Sequence, residues 1–136
     1  MLRKDKSNFT QNTYIKIKNK CTFDEARNIL LSEVQNLRNG QIPRHDLIIN
    51  KTMASNYKTD TFYLKIFADK IGNIKPGDTV SYVIVQVEGI LGDRMRLPHT
   101  NEEIDYNYYI NELMGCVMKL FLMGFENKES MLITCI

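Results

Sequence analysis

The chain has 136 residues, 43% hydrophobic and 25% charged, with a net charge of +2, the profile of one ordinary folded domain or a part of a larger one. Seven Gly and three Pro exclude a low-complexity disordered segment, and 18 basic against 16 acidic residues exclude binding to nucleic acid through bulk charge alone.

The opening segment is basic: residues 1–20 hold six Lys or Arg and one Asp. Arg3, Lys4 and Lys6 lead into Ser7, Asn8, Thr10 and Gln11 rather than an apolar run, so no signal peptide is read and an intracellular protein is expected. Thr22 with Glu25 forms the capping-box pattern T-x-x-E, and Ala26, Ile29, Leu30, Val34 and Leu37 recur at spacings of three and four, which predicts a helix over 23–38 closed by left-handed Asn39-Gly40. After Ile42-Pro43, the run Asp46-Leu47-Ile48-Ile49 predicts a short strand. Apolar positions from Thr61 to Lys70 do not alternate and fit a compact helix stopped by Gly72. Lys75-Pro76-Gly77-Asp78 is turn chemistry launching a strand over Thr79–Val87, and Gly89–Thr100 is expected to be a loop. A long helix begins at Ile104-Asp105, with Tyr109, Leu113, Val117 and Phe121 on one face. The sum is an α+β chain, mostly helical, with a small β element of two or three strands.

Residues 38–75 carry seven basic against three acidic side chains, and residues 101–112 carry four acids and no base. Such runs are ordinarily solvated faces, yet the asymmetry also suits a polyanionic partner. The last helix is apolar around most of its circumference, with Met114, Met118 and Met123 on sides that should be wet. Either it is the buried central helix of this domain, or it packs on another chain or another part of the same chain. Its apolar stretch, interrupted by Gly115, Lys119 and Gly124, falls short of the roughly 20 residues a membrane span needs.

Cys21, Cys116 and Cys135 are odd in number and scattered, which argues against a disulfide framework. His45 and His99 show no metal-binding spacing, and no triad, nucleophile elbow or Walker A pattern is present, so no catalytic or metal-ligating residue is assigned. Glu102, Glu103 and Asp105 could be imagined on a pair of metal ions. Acids at a helix start are explained more simply by the macrodipole. Tyr82, Tyr108 and Tyr109 sit among apolar neighbours and are expected to pack, each with a hydroxyl partner, rather than stack on bases.

Taken in order, several segments resemble the C-terminal end of a family B DNA polymerase, from the exit of the palm through the thumb. Leu2-Arg3-Lys4-Asp5 is similar to a v-R-R-D segment, and Asp46-Leu47-Ile48-Ile49-Asn50-Lys51 to D-L-v-I-t-K, with Tyr57 at a familiar distance. Pro76-Gly77-Asp78-Thr79-Val80-Ser81-Tyr82-Val83-Ile84 is similar to p-G-d-r-V-x-Y-V-I. Asp93-Arg94-Met95-Arg96-Leu97-Pro98 resembles a segment with an Arg shortly before a Pro, and Ile104-Asp105 with Tyr108-Tyr109-Ile110 resembles i-D-x-x-Y-Y-i. The family usually has Pro then Arg in its final helix, where this chain has Gly115-Cys116 and Lys119. Gly77-Asp78-Thr79-Val80 lacks the second carboxylate of a polymerase catalytic turn.

The resemblance implies a palm-exit segment over 1–20, a thumb over 21–125 and a tail over 126–136 with no assigned role. It implies a part that grips the primer-template double-stranded DNA through phosphate and minor-groove contacts without reading sequence. Mg²⁺ and the nucleotidyltransferase aspartates would belong to a palm and fingers partner, so this chain, with no cofactor of its own, should be inactive alone. The residues expected on DNA are Lys51, at a strand end, then Arg94, then Arg3 and Lys4 at the palm junction, with Lys58, Lys75 and Arg96 chosen by charge and loop position. The alternative is a noncatalytic scaffold subunit docking on a polymerase chain through the Met-rich helix. Thirteen Asn, fifteen Ile and twelve Lys against six Arg imply AT-rich coding, which suits a large DNA virus and a nucleus rather than a cytoplasm. The start at Met1 fits a truncated gene, a split subunit or an internal start.

Overall fold

The computed structural model describes residues 6–20, 22–53 and 62–124. In chain order the elements are α1 (Asn8–Lys18), α2 (Phe23–Arg38), a 3₁₀ turn (Arg44–Leu47), β1 (Ile49–Thr52), α3 (Phe62–Ile71), β2 (Thr79–Ile84), a single helical turn α4 (Leu91–Arg94), β3 (Met95–Arg96) and α5 (Tyr106–Lys119), which runs on into a π turn (Leu120–Gly124). The chain is α+β and mostly helical, with one antiparallel three-stranded sheet in the order β1-β2-β3.

The helix over 23–38 forms with the predicted bounds, because the Thr22 hydroxyl accepts the Glu25 backbone N–H at 3.2 Å and satisfies one of the free donors at the helix start. Of the two residues expected to be left-handed at its end, only Gly40 is, at φ +72°; Asn39 stays at φ −83°.

Three expectations need correction. The run Asp46–Ile49 is strand only at its last residue: Pro43, at φ −58°, starts a tight turn closed by the Asp46 N–H on the Pro43 carbonyl at 2.9 Å. The strand therefore opens three residues later than expected, at Ile49. Gly89–Thr100 is not a plain loop, since α4 and β3 lie inside it, β3 pairing Met95 with Ile84 and Arg96 with Val83. The strand from Thr79 ends at Ile84, beyond which Val85 makes an isolated bridge to Ile104. Helix α1 lies in a segment for which no element was predicted.

Helices α1, α2 and α5 pack together. Ser7 and Thr10 at the start of α1 meet Glu112 in the middle of α5, and Phe23 at the start of α2 sets its ring edge-on to Phe121, 5.3 Å between centroids. At the far end of α2, a Cβ on Gly40 would lie 3.9 Å from the hydroxyl of Tyr106. Helix α1 thus runs alongside α5 in the same sense, and α2 returns antiparallel. The α1 seam is unusually polar. One oxygen of Glu112 accepts from the Ser7 N–H at 3.2 Å, the Ser7 hydroxyl at 2.9 Å and the Thr10 hydroxyl at 2.7 Å, with Ser7 and Thr10 fully buried. A carboxylate at a helix N-terminus also meets the positive end of its dipole.

The sheet joins this bundle through α5. Tyr109, Leu113 and Val117 form the buried stripe, as their spacing predicted. The Tyr109 hydroxyl donates to the Leu47 carbonyl at 2.6 Å and accepts the Ile84 N–H at 3.1 Å. On the sheet face toward α3, Phe67 sets its ring edge-on to Tyr82 at 5.9 Å. Burial pushes the hydroxyls of both Tyr82 and Tyr109 above the ordinary tyrosine value of 10.0.

Tyr109→Phe should cost about 2–4 kcal/mol, because two buried backbone groups lose their partner while the ring volume is kept; urea unfolding reads this as a lower midpoint at constant slope. The raised tyrosine values favour the neutral form in the fold, so their contribution is intact below pH 10 and lost as pH rises beyond it. Circular dichroism with tyrosinate absorbance should show ionisation of these two hydroxyls only together with alkaline unfolding.

Candidate nucleic-acid interface

Strand register decides which way each candidate faces. Residues opposite one another in an antiparallel pair share a face, and neighbours along a strand alternate. Ile49 stands opposite Tyr82 and Lys51 opposite Val80, so Lys51 is on the face covered by α3. Asn50, Thr52, Thr79 and Ser81 share the opposite face, where the Ser81 hydroxyl donates to the Asn50 side-chain carbonyl.

Lys51 is half-buried, and its ammonium donates to the hydroxyl of Tyr63 on α3. A lysine stem pinned between a strand and a helix loses less freedom on meeting a ligand than one in open solvent.

Arg94 and Arg96 are differently placed. Arg94 ion-pairs with Asp105, the residue that caps α5 by accepting the Tyr108 N–H at 3.3 Å. Arg96 pairs with Glu102 at 2.8 Å and donates to the carbonyls of Asp93 at 2.7 Å and Met95 at 2.9 Å. The guanidinium of Arg96 therefore covers the Asp93 carbonyl of α4 and the Met95 carbonyl of its own edge strand, and the second contact discourages pairing with a foreign strand. Two of the three acids weighed as a metal site are thus engaged with arginines, and Asp105 serves the start of α5 as the macrodipole argument expected.

Lys75 is exposed in the turn before β2, where its N–H donates to the Asp78 carboxylate at 2.9 Å. That turn packs on the end of β1 through the Met53 N–H to Asp78 carbonyl bond at 2.8 Å. The other end of β2 holds Arg94, whose carbonyl accepts the Val85 N–H at 2.9 Å. At about 3.3 Å per residue, the length of β2 puts Lys75 and the arginines roughly 17–20 Å apart. The four cations therefore do not form one patch: Arg94 and Arg96 share a corner, while Lys51 and Lys75 belong to the β1–β2 side. Arg3, Lys4 and Lys58 lie outside the described residues.

An open groove of about 670 Å³ lies beside the arginine corner, floored by Phe67, Ile71, Met95 and Leu97. Its rim cations Lys70 and Arg96 are each paired with an acid, Asp93 and Glu102, so it presents little net charge to an anion. Tyr63 is the residue that sequence reasoning passed over. Its spacing of four from Phe67 puts both on one stripe of α3, which was the available signal.

A family model described as DNA polymerase family B matches residues 1–123. The chain belongs to this family. It is 30% identical over 109 residues to a DNA polymerase of Methanocaldococcus jannaschii, a match covering 73% of this chain and 7% of that relative. It is likewise 30% identical over 123 residues to a DNA polymerase of Pyramimonas orientalis virus, covering 78% of this chain and 10% of the relative. The chain thus spans a tenth or less of the length of these polymerases. Among solved structures, the family B DNA polymerase of the archaeon Pyrobaculum calidifontis shares the fold at a TM-score of 0.65 and 22% identity, over 85% of this chain and 18% of that one. No helix among the described residues is long and apolar enough to cross a membrane.

Asp105→Ala should cost about 2–4 kcal/mol, because it removes the α5 cap and strands the Arg94 charge. Arg94→Met should cost less, since the cap survives and the side-chain volume is kept. Denaturant midpoints of the two variants test this order, and equal losses would refute the double role of Asp105.

Proposed function

We propose that this chain serves a family B DNA polymerase as its thumb, closing on the primer-template duplex through phosphate and minor-groove contacts that do not read sequence. The observation that carries the reading is Lys51: it ends the segment Asp46–Lys51 that bears the family pattern, and its ammonium is held at a strand-helix corner by Tyr63. Lys75 extends the grip along the same β1–β2 side. Arg3 and Lys4, ahead of α1, and Lys58 add charge in segments of the same pattern. Arg94 and Arg96 act first on the fold, through Asp105 and Glu102, and reach phosphate only by exchanging those partners.

Lysines suit such a role physically. An ammonium is a compact charge on a flexible stem, able to pass from one phosphate to the next, whereas a guanidinium fixes a planar geometry. Neutralising phosphates releases counterions, which gives affinity without sequence preference and a steep salt dependence. The reading takes 1–20 as the junction to a palm, 21–125 as the thumb and 126–136 as a tail, assigns bond-making and Mg²⁺ to the palm, and puts the complex where DNA is replicated, in a nucleus.

A second reading, docking onto a polymerase chain as a scaffold, is favoured by one feature of α5. Met114, Met118 and Leu122 recur every four residues and are 36%, 51% and 56% exposed, an apolar stripe on the outer side of a helix whose inner side is filled. Co-purification with a catalytic chain, without duplex retention by the complex, would select this reading over the first.

The test is fluorescence anisotropy with labelled duplexes of several unrelated sequences at graded salt. The logarithm of affinity should fall linearly with the logarithm of salt concentration, and Lys51→Glu should weaken every duplex by a similar factor. Full affinity of Lys51→Glu at low salt would overturn the assignment.

A further inference from the structure

The ring contact of Phe23 with Phe121 marks the seam between α2 and α5, and a stripe leaves it along each helix. On α2, Arg27, Leu31, Val34 and Arg38 follow Phe23 at spacings of four, four, three and four. On α5, Met114 and Met118 precede Phe121 at helical spacing. Residues three or four apart share a helix face, so both stripes flank the seam. Because the helices are antiparallel, Leu31 lies about 12 Å along α2 from Phe23, and the same distance back along α5 from Phe121 reaches the level of Met114. Leu31 is 54% exposed and continues the open apolar surface of Met114 and Met118 across the seam. Isolated exposed apolar residues are ordinary, whereas a contiguous strip on two packed helices marks an interaction surface.

Charge narrows what can cover it. Arg27 and Arg38 are exposed, and neither is paired with an acid among the described residues, unlike Arg94 and Arg96. The two stand about 16–17 Å apart along α2, three turns of helix. Asp24, also exposed, belongs to the first turn of α2, where it complements the dipole. The facing positions on α5, Asn107 and Asn111, are exposed and uncharged, so the rim of the groove is basic along α2 and neutral along α5.

We propose that the groove between α2 and α5 receives an amphipathic helix of the polymerase chain on which this unit docks. That helix lays an apolar stripe on Leu31, Met114 and Met118 and sets carboxylates about three turns apart against Arg27 and Arg38. The inference rests on the docking reading given above and adds the surface and the chemistry of its partner. A polymerase chain is the fitting source, because this chain spans a tenth or less of the length of the polymerases it matches and the greater part of such an enzyme lies outside this unit. The groove between two packed helices suits the ridge of a third.

Anisotropy of labelled synthetic peptides on the full chain tests the chemistry. One probe is an amphipathic helix with leucines at helical spacing and two glutamates three turns apart; the other carries lysines at those two positions. Wild type should bind the glutamate peptide about tenfold more tightly than the lysine peptide, and Arg27→Glu with Arg38→Glu should reverse the order. Met118→Gln, and on the other helix Leu31→Gln, should each weaken the glutamate peptide about tenfold, with circular dichroism showing an unchanged fold. Equal affinity for the two peptides, or binding untouched by Met118→Gln and Leu31→Gln, would overturn the proposal. So would self-association in sedimentation velocity that Met118→Gln abolishes, which makes a second copy the occupant, or tighter peptide binding after Leu132→Glu with Ile133→Glu, which makes residues 126–136 the occupant. Co-purification with a palm-bearing polymerase chain separates the groove from the docking reading. Its loss in the Met118→Gln, Leu31→Gln double variant supports both; its retention there refutes the groove and leaves docking standing; its absence with wild type refutes the docking reading and this inference with it.

Discussion

The hydroxyl of Tyr109 is the point on which the arrangement of the molecule depends. It joins three stretches of chain that are far apart in sequence: α5, which carries it, the end of the 3₁₀ turn at Leu47, and the end of β2 at Ile84. Apolar packing brings the helical layer and the sheet together but tolerates sliding, because dispersion and the hydrophobic effect have little direction. A hydrogen bond is narrow in distance and angle. With the ring wholly buried, neither Leu47 nor Ile84 can move to a water partner, so the register of β2 against α5 is fixed. The start of β1, two residues beyond Leu47, is fixed with it.

From that junction the charges divide by type. Arginines and acids are spent on the corner next to α5, where Arg94 holds Asp105 and Arg96 holds Glu102 and the strand edge. The planar fork of arginine suits this work, since it meets a carboxylate and backbone carbonyls at once. The β1–β2 side carries lysine, threonine, serine and asparagine, groups that donate hydrogen bonds without committing to one planar partner. On the proposed function the division has a physical logic: cations that hold the fold must not let go, whereas cations on a sliding duplex would have to.

Much of this was legible in the sequence, for reasons that can be named. Helix α2 announces itself because its cap, stripe and stop are all local: Thr22 with Glu25, Ala26 to Leu37 at helical spacing, and Gly40. The buried stripe of α5 is equally local. Helix α1 was invisible because half of its buried face is polar; Thr10 and Thr13 stand where a periodicity search expects Leu or Ile, and the burial of Thr10 is explained by Glu112, about a hundred residues away. The strand at Asp46–Ile49 was misplaced because apolar residues were read as the strand itself, whereas Leu47 is buried by the turn that precedes it. The loop before α5 concealed β3 because a two-residue strand has no periodicity and exists only through its pairing with β2. For the candidate interface, the residue types were legible and their engagement was not. Nothing local tells that Arg94 already has Asp105 or that Lys51 leans on Tyr63.

The two surfaces that invite partners lie apart, and this bears on how they relate. The sheet meets α5 near its start, at Tyr109, whereas the exposed stripe runs through Met114 and Met118 to Leu122. At 1.5 Å per residue, Leu122 is about 20 Å along the axis from Tyr109. Occupation of the stripe by a neighbouring protein surface would therefore leave Lys51 and Lys75 uncovered. The two proposed readings therefore name different surfaces of the same molecule, the β1–β2 side for a duplex and the α5 stripe for a polymerase chain. Helix α5, running from the sheet junction at Tyr109 out to the stripe, is the element that joins the two surfaces.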